Sequence, residues 1–241
     1  MSYRDFHFSA ETEYIFTTDV CAALEQQLRG RKIKKLFVLA SSRGFSQVAQ
    51  VLSGLAFPVI PETGCMANPT AAFVGHCAGE IRREGCDFLL AVGGGSAIDA
   101  AKAAALLAAN PSQGGIWDYI AGGKTPSAPA LPVGLVVTIP STGSESNPSA
   151  VITDPVLGEK RIYTEPSMQP RFSITAPELT YTLPAYPAAC GIADIFCHLL
   201  EQYLHNDTGV QLSDNLLLGA MGAVVQWGPK ALAQPYSFDA Q

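Results

Sequence analysis

The segment DFLLAVGGGSAIDAAK, residues 87–102, predicts the fold of the chain around it. An unbroken apolar run comes first, three glycines follow, and an Ala-rich stretch with helical spacing comes after them. A short apolar run without polar alternation is typical of a strand that is buried on both faces of a sheet. The segment therefore predicts a buried strand, a tight turn at residues 93–95 and a helix that begins near Ser96.

The same alternation of apolar runs and helical stretches extends on both sides, from residue 18 to about residue 140. Three further runs are predicted to be strands: IKKLFVLA (33–40), FPVI (57–60) and VGLVVTI (133–139). Three further stretches are predicted to be helices: DVCAALEQQLRG (19–30), GFSQVAQVLSGL (44–55) and TAAFVGHCAGEIRREG (70–85). Buried strands separated by helices predict an α/β fold with a doubly wound parallel sheet.

Two regions of the sequence depart from this alternation of strands and helices. The segment 111–132 is rich in Gly and Pro and is expected to be mostly loop. Two apolar helical stretches, 188–204 and 211–226, follow a proline-rich region that ends near Pro184. We therefore expect an α/β domain over 1–183 and, over 184–241, the start of an all-helical domain with too few helices to bury their apolar faces.

Composition excludes several classes of partner. The 241 residues carry 15 Lys and Arg against 21 Asp and Glu, a net charge of −6 with no basic stripe, which argues against nucleic acid as a partner. Hydrophobic residues make up 48% and charged residues only 15%, which favours a large apolar interior and a homodimer or larger oligomer. No continuous apolar run reaches about 18 residues, and the polar opening 1–14 does not resemble a signal peptide, so neither membrane nor export is indicated.

Cysteine usage agrees with an intracellular protein. The six cysteines are scattered and form no C-x-x-C pair, so neither a disulfide framework nor a zinc ribbon is indicated. We expect reduced, mostly buried thiols and a cytoplasmic location.

The glycine turn is a candidate anion site. Glycines 93–95 allow close approach to a ligand, and the helix after them presents free N–H groups and a positive dipole end. Ser96 and Asp99 match the S-x-x-D pattern of a capping box. Glycine-rich turns also connect strands to helices without binding a ligand, so the turn by itself leaves both interpretations open.

A second polar loop follows the next buried strand. The stretch 137–154, VTIPSTGSESNPSAVITD, concentrates hydroxyl and amide side chains at that strand's carboxyl end: Thr138, Ser141, Thr142, Ser144, Ser146 and Asn147. Parallel sheets bind ligands at this end of their strands. A solvated Ser/Thr loop is the alternative for this stretch alone, but two such loops on neighbouring strands favour a dinucleotide crevice.

The loop after IKKLFVLA bears on the choice of nicotinamide cofactor. NAD-binding folds commonly place an acid here to bind the ribose 2′-OH, and that acid would repel a 2′-phosphate. No Asp or Glu lies between Lys35 and Glu62, whereas Ser41, Ser42 and Arg43 supply hydroxyls and a cation. We therefore expect NADP(H) to be preferred over NAD(H), although a solvent-facing arginine is the alternative role for Arg43.

Asp194 and His198 form half of a possible metal site. They stand four residues apart in a helical stretch, so their side chains project from one face, one turn apart. A hydrogen-bonded pair is the alternative. His205 is eleven residues beyond Asp194, roughly 16 Å of helical rise, which is too far to share an ion. Glu201 is an ordinary helix residue, expected to be exposed or capping.

Several motifs together resemble one enzyme family. They are NPT (68–70), GGGSAIDAAK, TGSESNPSAVITD, Lys160 and GIADIFCHLLEQYL, in this order and spacing. This pattern resembles the iron-containing, group III alcohol dehydrogenases, especially their butanol-dehydrogenase-like, NADPH-dependent aldehyde reductase branch, from about residue 6 to the last residue. The resemblance implies a dehydroquinate synthase-like architecture, with cofactor and Fe²⁺ or Zn²⁺ in the cleft between a nucleotide-binding domain and a helical domain.

The resemblance also implies roles for individual residues. The pyrophosphate of the cofactor would be held by Gly94, Gly95 and Ser96, with Asp99 supporting that turn. The remaining contacts would come from later residues, with the adenosine and phosphates along Thr138 and Thr142 and the ribose nearer the nicotinamide along Asn147 and Lys160.

The metal site that the resemblance implies needs more ligands than this sequence supplies. Asp194 and His198 match the family's first two ligands, and the family's other two are histidines from later helices. No histidine follows His205 here. We therefore expect the chain to be C-terminally shortened relative to the family.

The function implied is a metal-dependent oxidoreductase that interconverts small alcohols and aldehydes with NADP(H). The metal would polarise the carbonyl oxygen while hydride arrives from the nicotinamide. The alternative is a dinucleotide-binding module without turnover, since the nucleotide loops are complete and the metal ligands are not. A lyase of the dehydroquinate synthase type also uses a dinucleotide and zinc, but TGSESNPSAVITD resembles the dehydrogenases instead.

Overall fold

The structure is a computed structural model that describes residues 11–111, 114–205, 210–237 and 239. Most of the polar opening 1–14, and the start of the family resemblance near residue 6, lie outside these ranges. The described strands are β1 (Glu13–Phe16), β2 (Leu36–Ala40), β3 (Val59–Glu62), β4 (Phe88–Gly94), β5 (Val133–Ile139), β6 (Ser149–Asp154), β7 (Glu159–Thr164) and β8 (Phe172–Thr175).

Six strands form one parallel sheet, in the order β1-β8-β5-β4-β2-β3, and β6 pairs with β7 as a separate antiparallel hairpin. The helices are α1 (Val20–Arg29), α2 (Ser42–Ser53), α3 (Ala71–Glu84), α4 (Gly95–Ala109), α5 (Ile116–Ile120), α6 (Ala185–Tyr203) and α7 (Gln211–Ala233). The predicted doubly wound α/β class is confirmed, and each predicted strand and helix is present with small shifts at its ends.

Helix ends follow local capping chemistry. The side chain of Asp19 accepts a hydrogen bond at the start of α1, and that of Thr70 does the same at the start of α3. Gly85 ends α3 in the left-handed conformation, with a φ of 69°. These capping signals explain why the helices in the first half of the chain could be predicted from the sequence.

Four strands and one α-helix were not predicted: β1, β6, β7, β8 and α5. The strand β8 is only four residues long and lies between two proline-containing segments, so its sequence resembles an irregular connection. It nevertheless pairs with both β1 and β5 in the middle of that half of the sheet. The five-residue α5 lies in the segment 111–132, which is otherwise mostly loop as expected.

Two apolar cores cover the two faces of the sheet. One contains α1 and α2, and the other contains α3 and α4. Helix α4 is buried along most of its length, and its alanines let it pack closely against its neighbours. Two ionisable residues, Asp99 and Lys102, lie within this buried helix.

The order of the strands places a crevice between β2 and β4. The chain moves from β2 outward to β3, then returns to the other side of β2 for β4 and continues to β5. Loops leaving β2 and β4 therefore turn in opposite directions, which opens a space at the carboxyl ends of these strands.

Helices α6 and α7 pack on each other but bury little of their surface. Helix α6 begins at Ala185, directly after Pro184, and contains no buried residue. In α7 only Met221 and Gly228 are buried, and a Cβ at Gly228 would lie 2.6 Å from Cγ2 of Ile192, so the two helices approach closely there. The division into domains at residue 184 stays a prediction.

Helix α7 bears on the expectation that the chain has no apolar segment long enough to cross a membrane. Within the described residues it is the one helix long and apolar enough to cross a membrane, judged by length and composition alone. An 18-residue stretch of this helix has a mean hydropathy of 1.2, and 11% of that stretch is buried. The helix also carries Asp214 and Lys230 and packs on α6, so it is weak evidence for a membrane span.

Candidate functional site

A cavity of about 990 Å³ lies at the carboxyl ends of β2, β4 and β5. Its size is at the upper end of the range of pockets that hold small-molecule ligands. It is lined by eleven of the twelve site residues expected from the sequence: Ser41, Gly94, Gly95, Ser96, Asp99, Thr138, Thr142, Asn147, Lys160, Asp194 and His198. Ser42 is not among its lining residues.

The glycine turn is tightly packed against the next loop. A Cβ at Gly95 would lie 2.7 Å from Cγ2 of Thr142, and one at Gly94 would lie 3.0 Å from Cβ of Ile139. Neither glycine has a positive φ. Glycine is therefore required here because side chains from the neighbouring strand and loop occupy the space, rather than because of backbone strain.

The prediction of a capping box at Ser96 and Asp99 is wrong. Helix α4 begins at Gly95, Gly94 is its cap, and no side-chain hydrogen bond caps the first turn. Ser96 Oγ instead accepts a hydrogen bond from the backbone N–H of Asn68, at 3.2 Å. Asp99 turns inward to buried partners, so no side chain occupies the N–H groups of the first turn of α4, which can therefore bind an anion.

Asp99 belongs to a buried polar network. The hydroxyl of Ser144 donates to Asp99 Oδ1 at 2.5 Å, and the N–H of Val151 donates to Oδ2 at 3.0 Å. The ammonium of Lys102 lies 3.7 Å from Oδ1. Burial raises the pKa of Asp99, and the charge of Lys102 opposes that shift.

Lys102 is a site residue that was not foreseen from the sequence. It donates to the carbonyl and hydroxyl oxygens of Ser144, at 2.8 and 2.6 Å, and to the carbonyl of Asn147 at 3.2 Å. Burial lowers its pKa to about 8, although Asp99 and Glu145 act in the opposite direction. The available signal was its spacing, because Asp99 and Lys102 are the only charged residues of an otherwise small and apolar helix.

A third wall of the cavity comes from the loop before α3. Asn68 has a φ of 56°, and its amide oxygen accepts a hydrogen bond from Nζ of Lys160 at 2.9 Å. Through its contact with Ser96, Asn68 joins the glycine turn to the β6–β7 hairpin. The Asn-Pro pair was the sequence signal for this turn.

Of the three residues expected to select the cofactor, Ser41 lines the cavity, whereas Ser42 and Arg43 do not. Ser41 lines the cavity and caps α2 by accepting from the N–H of Gly44 at 3.1 Å. The guanidinium of Arg43 donates to the carbonyl oxygen of Thr182 at 2.9 Å and also contacts its hydroxyl. Arg43 therefore ties the start of α2 to the segment that leads into α6.

Asp194 and His198 face the same cavity from α6. Oδ1 of Asp194 lies 3.5 Å from Nε2 of His198, and the two side chains are 43% and 49% exposed. Two ligands of one tetrahedral ion are roughly 3.3 Å apart, so the pair has suitable donor chemistry and spacing for a divalent metal.

The described ligand set is nevertheless short of a complete site. In the ranges that the structure covers, no group of three or more His, Cys, Asp or Glu residues could hold an ion. Nε2 of His205 lies 2.9 Å from Oδ1 of Asp214 on α7, and His205 does not line the cavity. This position agrees with the expectation that His205 does not share an ion with Asp194. Glu201 is exposed and does not line the cavity.

Comparison with known proteins identifies the family. The family model for iron-containing alcohol dehydrogenase matches residues 11–177. The chain belongs to this family. The predicted resemblance is thereby confirmed at the level of the family, and the motifs around the cavity lie within the matched region or just after it.

Two curated relatives are similar over nearly the whole chain. The NADPH-dependent aldehyde reductase YqhD of Escherichia coli is 32% identical, over 98% of this chain and 62% of its own length. The NADH-dependent butanol dehydrogenase B of Clostridium acetobutylicum is also 32% identical, over 98% of this chain and 61% of its own length. The chain thus spans about three fifths of these relatives, whose names carry different nicotinamide cofactors.

A solved structure supports the fold directly. The crystal structure of an NADH-dependent butanol dehydrogenase A from Thermotoga maritima superposes with a TM-score of 0.91 at 27% identity. The match covers 98% of this chain and 60% of that one. The parallel sheet and the helical segment after it are therefore shared with the family.

Proposed function

We propose that this chain forms the cofactor-binding part of a metal-dependent oxidoreductase that interconverts small alcohols and aldehydes with NADP(H). One observation carries the proposal: the glycine turn and the Asp194/His198 pair line one and the same cavity. A nucleotide held at the turn would extend toward the side chains suited to a metal. The family membership favours this function over a binding module without turnover.

Some residues of the cavity would bind the cofactor, and others would hold the metal that takes part in the reaction. The free N–H groups at the start of α4 would bind the pyrophosphate, and Thr138 and Thr142 would line its path. Asn147 and Lys160 would contact the ribose nearer the nicotinamide, whose chemistry is to supply or accept the hydride. Asp194 and His198, with further ligands from outside the described residues, would hold Fe²⁺ or Zn²⁺, which polarises a carbonyl oxygen.

The cofactor proposal has a direct test. We expect the 241-residue polypeptide to bind NADPH at least about tenfold more tightly than NADH, a difference of about 1.4 kcal/mol, because the loop after β2 has hydroxyls and a cation but no acid. Calorimetric titration with both cofactors measures it. Arg43→Ala should reduce the preference, whereas Arg83→Ala, which removes an exposed arginine on α3, should not.

Two outcomes would contradict parts of this proposal. Equal affinity for the two cofactors would remove Ser41, Ser42 and Arg43 from the proposed role. Failure to bind either cofactor would remove the nucleotide site itself.

We also propose a cytoplasmic homodimer or larger oligomer that acts on small molecules rather than on nucleic acid or membranes. The support is the net charge of −6 and the apolar surface of α7, where Leu212 is 76% and Leu216 is 67% exposed. Exposed apolar patches of this kind usually mark surfaces that are covered by protein.

A Leu212→Glu/Leu216→Glu variant is expected to associate less than the unchanged chain, because it replaces apolar surface with repelling charge. Sedimentation velocity over a concentration series measures this. Asn215→Glu, an exposed neighbour on α7, adds a charge without removing apolar surface and should have little effect. A monodisperse monomer at every concentration would contradict the oligomer proposal.

A further inference from the structure

Lys102 is a fully buried cation that lies directly behind the wall of the cavity. Its side chain has no exposed surface, and it is not itself a lining residue, although its partners Asp99, Ser144 and Asn147 are. We propose that Lys102 is a positioning residue for cofactor binding, which holds the loop 141–147 against the glycine turn and neutralises Asp99. This inference rests on the proposed nucleotide site.

The first part of the proposal concerns the loop. The four hydrogen bonds of the ammonium go to oxygen atoms of Ser144 and Asn147, which belong to one loop separated from Lys102 by more than forty residues of chain. The same loop places Thr142 against Gly95, where no room remains for a Cβ. Lys102 therefore sets how closely the two loops that would hold the cofactor approach each other.

The second part concerns charge. Asp99 lines the cavity from the first turns of α4, near the N–H groups that would bind a pyrophosphate. An unpaired carboxylate there would repel an anionic ligand, and the low dielectric of a buried site would strengthen the repulsion. The nearby ammonium of Lys102 cancels that charge, so the positive end of the helix remains available to the anion.

The charges around the pair predict a pH dependence. Glu145 acts on Lys102, and Lys160 acts on Asp99 from the hairpin. Because burial lowers the pKa of Lys102 to about 8, the residue is an ammonium at pH 7 and loses its proton as the pH rises through 8. Asp99 is then left without its neutralising partner, and affinity for NADPH should fall.

The test compares NADPH titrations of the unchanged chain, Lys102→Met and Asp99→Asn/Lys102→Met at pH values from 7 to 9. We expect Lys102→Met to bind at least about tenfold more weakly at pH 7, because one partner of a buried charged pair is left alone. The double variant should recover part of the loss, since the repelling carboxylate is also removed. Lys124→Met replaces a half-exposed lysine outside the cavity and should bind like the unchanged chain.

The outcomes separate this inference from the proposed function. Unchanged affinity in Lys102→Met, or equal weakness in both variants together with no fall in the unchanged chain above pH 8, would overturn the role of Lys102 and leave the nucleotide site standing. No binding by the unchanged chain would overturn the proposed function itself. Circular dichroism checks folding, and if Lys102→Met does not fold, the double variant and the pH series of the unchanged chain decide.

Discussion

A Gly95→Ala variant is expected to lose most of its affinity for NADPH. The added Cβ would lie 2.7 Å from Cγ2 and 2.9 Å from Oγ1 of Thr142, so either the glycine turn or the loop 141–147 must move. Overpacking of this kind costs about 1–3 kcal/mol, and a loss of about 1.4 kcal/mol in binding corresponds to about tenfold in the dissociation constant. Calorimetric titration with NADPH gives the affinity, and thermal unfolding gives the accompanying loss of stability.

Gly75→Ala provides the matched control. Gly75 lies within α3, and a Cβ at that position would meet no atom within 4 Å. Alanine is preferred to glycine in a helix by roughly 0.5–1 kcal/mol, so this variant should be slightly more stable and should bind NADPH normally. If Gly95→Ala binds as tightly as the control, the turn does not form the cofactor site.

The 241-residue polypeptide is expected to retain no stoichiometric Fe or Zn after dialysis and to show little aldehyde reduction. Asp194 and His198 would supply two ligands, the described residues contain no group of three or more, and protein sites for these metals use three or four. Both side chains are about half exposed, so water competes for an ion held there. Without a fixed Lewis acid, hydride transfer would lose charge stabilisation and positioning. Metal analysis by mass spectrometry and an NADPH oxidation assay with short aldehydes measure the two quantities.

An Asp194→Asn/His198→Gln variant tests whether the pair binds metal at all. With excess Zn²⁺ present, we expect weak, saturable binding by the unchanged chain and none by this variant, with NADPH affinity preserved in both. His205→Gln is the control, because His205 lies against Asp214 rather than the cavity. Stoichiometric metal together with ordinary turnover would contradict the expectation and would mean that another subunit supplies ligands.

The parts of this fold that were predicted correctly depend on short-range patterns. The strand, glycine turn and helix of residues 87–102 follow from an apolar run, three small residues and helical spacing, all within one short segment. The orientation of Asp194 and His198 on one face of α6 follows from the helical period alone. The family resemblance depends on the same kind of information, because its motifs are short and occur in a fixed order.

The prediction for Asp99 was wrong because a local rule competed with a distant partner. The S-x-x-D pattern favours a cap on the first turn of α4, but the carboxylate of Asp99 instead binds Ser144 and Val151, which are 45 and 52 residues away. The two donors and the nearby cation satisfy the buried carboxylate, and those partners of the loop and hairpin are not visible near Asp99 in the sequence.

The sequence by itself therefore determined the class of fold, the order of its main elements, the family and eleven of the residues that line the cavity. Only the tertiary structure decided that β8 lies between β1 and β5, that Thr142 fills the space beside Gly95, and that Lys102 holds the loop behind the cavity. The physical reason is the separation along the chain over which each kind of interaction acts. Strand and helix periods act over a few residues, whereas packing and buried hydrogen bonds join residues far apart in the chain, which come together only when the sheet has formed.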